Sequence, residues 1–103
     1  MTGFAHTFEQ IDRGVVAHLT GDLDLAAAPE LADAIRTARE MSEGDIVLDM
    51  SGVTFLDSSG LRAIVAAHHD AADDSRIVIR RPSDAVTRVL EITGLQSGLH
   101  IET

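Results

Sequence analysis

A chain of 103 residues holds about one small core, which disfavours functions needing two folded domains on these residues, and residues 1–103 are expected to form a single domain. The formal charge is −9, and protonating all five histidines raises it only to −4; every one of the eight basic residues is an arginine, which disfavours nucleic-acid binding and excludes Schiff-base and P-loop lysine chemistry. There is no cysteine, hence no disulfide, thiol nucleophile or thiolate metal site, and with aromatics at 3%, all phenylalanine, the core must be aliphatic.

The segment Met1 to Phe8 lacks the basic and apolar regions of a signal peptide, and no stretch approaches the roughly 20 apolar residues of a membrane span, so a cytoplasmic protein without membrane insertion is expected. Phe4, His6, Phe8 and Gln10 alternate with Ala5, Thr7 and Glu9, which predicts a strand; Asp12-Arg13-Gly14 turns the chain into a second strand over Val15–Thr20. Pro29 suits a first helical position, and Leu31, Ala34, Ile35, Ala38 and Met41 recur at spacings of three and four, predicting an amphipathic helix. Ile46-Val47-Leu48 after Gly44 is a continuous apolar run, as in a parallel strand buried on both faces at the centre of a sheet. Ser51–Leu56 reads as a loop, followed by a second helix carrying Leu61, Ile64, Val65 and His68, with Ser58 or Ser59 as candidate N-cap. A strand over Ile77–Ile79, a third helix opened by Pro82-Ser83 and carrying Val86, Val89 and Leu90, a stop at Gly94-Leu95 and a last strand over Leu99–Glu102 complete the chain. The order β-β-α-β-α-β-α-β predicts an α/β fold: a mostly parallel sheet with an N-terminal antiparallel hairpin, helices packed on it and right-handed crossovers. Functional contacts are then expected at the carboxyl ends of the strands.

Phe55-Leu56-Asp57-Ser58-Ser59-Gly60-Leu61 sets two hydroxyls and a carboxylate at a loop-to-helix junction. Asp, Ser and Gly there are also what plain capping requires. A serine at a helix N-terminus tolerates a phosphate, because the macrodipole favours negative charge. It is a poor nucleophile of its own, since no G-x-S-x-G elbow is present and Asp57, adjacent in sequence, does not face it on a helix. Asp22-Leu23-Asp24 ends the second strand; without a lysine an aspartyl-phosphate or Mg²⁺ role is disfavoured, and carboxylates bonding nearby amides are expected. Asp49 resembles a receiver-domain phosphoacceptor only superficially and is expected to be a strand-end hydrogen-bond acceptor. His6, His18, His68, His69 and His100 show no metal-ligand spacing and are read as scattered, so neither metal nor cofactor is expected.

Leu19-Thr20-Gly21-Asp22-Leu23-Asp24, Ile46-Val47-Leu48-Asp49, the Phe55–Leu61 segment and Val89-Leu90-Glu91-Ile92-Thr93-Gly94-Leu95 together resemble, in order and spacing over nearly the whole chain, the STAS family of anti-sigma factor antagonists. The resemblance implies a non-enzymatic regulator that binds an anti-sigma factor and so releases a sigma factor. It implies that Ser58 is phosphorylated by an anti-sigma factor with serine kinase activity, that a serine phosphatase reverses this, and that only the unmodified form binds. The implied contact residues are Asp24, Asp57, Ser58, Ser59, Gly60, Leu61 and Arg62. An alternative is a STAS accessory subunit of a lipid or anion transport system. Three departures from the family pattern stand out: no further C-terminal helix after Ile101-Glu102-Thr103, from which a partly uncovered sheet face is expected; no glycine in Asp73-Asp74-Ser75; and Arg62 where small residues are common.

Overall fold

The computed structural model describes residues 3–71 and 75–102. Strands β1 (Ala5–Ile11), β2 (Gly14–Leu23), β3 (Asp45–Leu56), β4 (Ile77–Arg80) and β5 (His100–Glu102) form one sheet in the order β1-β2-β3-β4-β5. β1 runs antiparallel to β2 and every other pair is parallel. Helices α1 (Ala28–Met41), α2 (Ser58–Asp70) and α3 (Asp84–Thr93) are the three crossovers, and a short 3₁₀ turn, Leu95–Ser97, precedes β5. The α/β order and the antiparallel opening predicted for the chain are both present, with β3 at the centre. Of the Asp73-Asp74-Ser75 turn, Asp73 and Asp74 lie outside the described residues.

Strand neighbours that follow chain order, joined by crossovers of one hand, put all three helices on one face. Alternate strand residues accordingly meet them: Val15, Ala17 and Leu19, then Ile46, Leu48 and Met50, then Ile77 and Ile79, form one cluster with buried residues of α1, α2 and α3. Leu31, Ala34, Ile35 and Ala38 of α1 are buried as the spacing predicts, while Met41 is left exposed at the helix end. Gly94 closes α3 in the left-handed conformation at φ 74°, and Leu95 packs back on the core.

Among the described residues the opposite face carries no helix. There Val16, Val47 and Val78 stand side by side in register as a small buried cluster. One register step on, Thr7, His18, Asp49, Arg80 and Glu102 form a polar row. Asp49 is only 2% exposed and therefore needs partners. Its carboxylate accepts from the Ser51 amide at 3.1 Å and hydroxyl at 2.8 Å, from Arg80 at 3.4 Å and from Arg81 Nε at 3.2 Å with a second, shorter Arg81 contact; His18 Nδ1 lies 3.6 Å away. Burial alone raises this carboxyl, but the Arg81 hydrogen bonds and the two from Ser51 outweigh it and hold Asp49 well below the usual carboxylate range. Asp49 is thus the expected acceptor, placed mid-strand and not at a strand end.

That displacement follows from the one segment the sequence misassigns. Ser51–Leu56, expected as a loop, continues β3. β2 also runs past Thr20 to Leu23, and Thr20, Gly21, Asp22 and Leu23 pair with Gly52, Val53, Phe55 and Leu56, with one register shift entering this stretch after His18 and a second within it between Gly21 and Asp22. The neighbouring strand satisfies a polar, glycine-containing backbone that looks irregular alone.

Candidate functional site

The long β2 and β3 end together, and their last pair, Leu23 and Leu56, delivers Asp24 and Asp57 side by side at the carboxyl edge of the sheet. The Asp57 amide donates to the Leu23 carbonyl at 3.2 Å, tying the start of α2 to the end of β2. Asp57 is extended, at φ −110° and ψ −174°, and its Oδ1 accepts from the Ser59 amide at 2.8 Å and the Gly60 amide at 3.2 Å. The N-cap is therefore Asp57 and neither Ser58 nor Ser59: a carboxylate on first-turn amides gains from the helix dipole as well as the hydrogen bonds.

With Asp57 as cap, Ser58 is the first residue of α2. Its side chain is exposed and makes no hydrogen bond among the described residues. Ser59 is half-buried. Gly60 is buried against β2: a Cβ there would stand 2.6 Å from the Leu23 carbonyl oxygen and 2.9 Å from Leu56 Cδ1, so the close seating of the helix on the strand requires glycine. Leu61 is 7% exposed and belongs to the core. Gly60 and Leu61 shape the site from beneath, while Asp24, Asp57, Ser58, Ser59 and Arg62 reach its surface.

Asp24 Oδ1 accepts from the Ala27 amide at 3.0 Å, and its carbonyl accepts from the Ala27 and Ala28 amides, which shapes the turn into α1. Asp22 Oδ1 accepts from the Thr54 hydroxyl at 2.7 Å. Asp22, Asp24 and Glu30 line a shallow cleft with Phe4 between β2 and α1. The edge is strongly acidic, and Arg62, one turn into α2, is its basic residue.

Two residues that no sequence argument singled out as functional flank this edge. Leu25, 74% exposed, follows Asp24, and Phe55, 48% exposed, precedes Leu56-Asp57. The signal that could have found them is an apolar side chain out of step with its neighbours: Leu25 belongs to no helical stripe, and Phe55 alternates away from Leu56. The histidines are less scattered than expected, since the His68 ring lies 5.8 Å from His69 and 5.5 Å from His100 at the far end of α2. Among the described residues no group of three or more His, Asp or Glu is arranged to hold a metal, and no helix is long and apolar enough to cross a membrane.

The family model described as "Mlab, STAS domain" matches residues 6–101. An anti-sigma-B factor antagonist of Staphylococcus aureus is 32% identical over 82 residues, which are 79% of this chain and 76% of that protein. The crystal structure of an anti-sigma factor antagonist from Mycobacterium paratuberculosis superposes with a TM-score of 0.87 at 26% identity, covering 97% of this chain and 86% of that one. The antagonist SpoIIAA in its unphosphorylated form superposes with a TM-score of 0.74 at 26% identity, covering 96% and 89%. SpoIIAA is also known in a phosphorylated form, with a TM-score of 0.69. The family model spans nearly the whole chain and the superpositions cover it almost end to end, and this chain belongs to the STAS domain family, with anti-sigma factor antagonists as its relatives.

Proposed function

We propose that residues 1–103 act as one STAS domain that binds an anti-sigma factor at the Asp24–Asp57–Ser58 edge, thereby releasing a sigma factor, and that phosphorylation of Ser58 ends the binding. The observation that carries this reading is the free hydroxyl of Ser58: exposed, unbonded among the described residues, and at the head of a helix whose cap is already filled by Asp57. Ser58 is a substrate. Asp57, the acid beside it in sequence, caps the helix through Oδ1 on the Ser59 and Gly60 amides and makes no hydrogen bond to the Ser58 hydroxyl among the described residues. The base belongs to the partner, an anti-sigma factor with serine kinase activity. Ser58 Oγ attacks the γ-phosphorus of ATP, the bond to the β–γ bridging oxygen breaks, ADP leaves and the hydroxyl proton passes to that base. A serine phosphatase returns the hydroxyl by hydrolysis. Leu25 and Phe55 supply exposed apolar anchors beside the acids. Such partners place the chain in the cytoplasm, and neither metal, cofactor nor nucleic acid has a part in its own role.

The STAS domain alone leaves a second reading, an accessory subunit of a lipid or anion transport system in which Ser58 serves mainly structurally. One experiment separates the two: incubation with candidate anti-sigma kinases and ATP, then intact-mass spectrometry of wild type, Ser58→Ala and Ser59→Ala. A single added phosphate in wild type and Ser59→Ala, absent in Ser58→Ala, is expected. A full phosphate on Ser58→Ala would overturn the assignment.

A further inference from the structure

Arg62 lies four residues after Ser58 on α2, and both side chains are exposed. Residues four apart on a helix have Cβ atoms about 5–6 Å apart, and helical side chains lean towards the N-terminus, so the turn that Ser58 begins is within reach of the Arg62 guanidinium. Arg36, Arg39, Arg76, Arg80 and Arg81 are each committed to a carboxylate or carbonyl. Arg62 makes no hydrogen bond or ion pair among the described residues, although acids surround the site.

The cap explains why this matters. A phosphate on Ser58 would ordinarily settle on first-turn amides, but Asp57 Oδ1 already holds those of Ser59 and Gly60, which leaves the phosphate only the amide of Ser58 itself in this turn. Asp57 beside it, with Asp24 and Asp22 across the strand ends, adds only negative charge. The guanidinium fork of Arg62 is the matching group within reach, and an acid placed N-terminal to a base at this spacing is the favoured orientation.

We propose that Arg62 is the internal counter-ion of the phosphorylated form, pairing with the phosphate on Ser58 across one turn of α2. This rests on Ser58 as the phosphoacceptor. The pairing gives phosphorylation a second effect: besides adding negative charge, it withdraws from the contact surface the base that an acidic group on a partner would otherwise meet. Arg62 positions the phosphate, offsets part of its charge and takes no part in its transfer.

The test places phosphoserine at position 58 during translation and follows its ³¹P resonance against pH in wild type, Arg62→Ala and Arg62→Lys, with Arg88→Ala on α3 as control. A guanidinium beside the phosphate stabilises the dianion, so the second phosphate pKa, ordinarily about 6, is expected to be roughly 0.2–0.4 units lower in wild type than in Arg62→Ala. Arg62→Lys is expected to fall between, Arg88→Ala to match wild type, and the difference to shrink in 1 M salt. Superimposable curves for wild type and Arg62→Ala, with both proteins folded by circular dichroism, would overturn the pairing. No kinase takes part in this titration, so failure of any kinase to modify Ser58 would count against the function proposed above and leave the pairing to stand or fall on the ³¹P curves.

Discussion

Replacing Asp49 by asparagine removes the charge that holds the helix-free face together while preserving side-chain volume. The asparagine carbonyl can still accept from the Ser51 amide and hydroxyl, but its NH₂ turns donors towards the donors of Arg80 and Arg81. Losing one partner of a buried ion pair costs about 3–5 kcal/mol when the remaining charges stay desolvated. Here the Arg81 side chain is 58% exposed and that of Arg80 30%, so water recovers part of the loss. The expected destabilisation at pH 7 is about 2–3 kcal/mol, or a fall in Tm of roughly 10–20 °C for a domain of this size. The pH dependence has a definite sign. Folding lowers the Asp49 carboxyl, so the unfolded chain protonates first as pH falls. The contribution is complete above about pH 5 and lost progressively from about pH 4 downward. Urea unfolding of wild type and Asp49→Asn at a series of pH values between 3 and 7 measures both effects. Wild type should lose stability more steeply at the acid end, the two curves converging there. A change below about 0.5 kcal/mol at pH 7, or parallel acid limbs, would refute the assignment of Asp49 as a charged keystone.

Asp57→Ala is expected to cost about 1 kcal/mol, with faster amide exchange at Ser59 and Gly60, whereas Asp57→Asn retains most of the cap; hydrogen-exchange NMR and urea titration read both. Gly60→Ala forces a methyl into the Leu23 carbonyl and should cost about 1–3 kcal/mol by chemical denaturation, opposite in sign to an ordinary glycine-to-alanine change in a helix, which stabilises. Leu25→Ser and Phe55→Thr should leave stability within about 0.5 kcal/mol yet weaken binding to the anti-sigma factor about tenfold or more by calorimetry. Unchanged affinity in both would remove them from the contact surface.

What the sequence made legible follows from how local the determinants are. The stripe Leu31-Ala34-Ile35-Ala38 and the run Ile46-Val47-Leu48 carry their burial in their own spacing, and Pro29, Ser83 and Gly94 mark helix ends through backbone preferences of single residues. The Ser51–Leu56 segment has no such signature. It is a strand because Thr20–Leu23 lies beside it, and that pairing depends on β2 extending three residues past where its apolar pattern fades. The same non-local pairing moved Asp49 from a strand end to mid-strand, among partners 31 and 32 residues away at Arg80 and Arg81. At the site, the Phe55–Leu61 motif located the junction. The choice of cap between Asp57 and the serines turned on backbone conformation, which the three side chains alone could not decide.

The geometry at this edge bears on how a switch would work. Ser58 is held by restraints that do not involve its own side chain: the Asp57 amide on the Leu23 carbonyl, the Asp57 carboxylate on two first-turn amides, and Gly60 seated against β2. No native hydrogen bond of the Ser58 hydroxyl must break, among the described residues, when a phosphate is added, so modification has no built-in route to refolding. It acts by charge and bulk. A unit charge facing another at about 5 Å costs roughly 3 kcal/mol at an effective dielectric near 20, and a phosphate brings about −1.5 to −2. Half of that repulsion against one acid on a partner already weakens binding about tenfold. A rigid edge with a free hydroxyl therefore suffices for a switch of this kind, and the rigidity is what lets a single phosphate be felt by the partner instead of being absorbed by the fold.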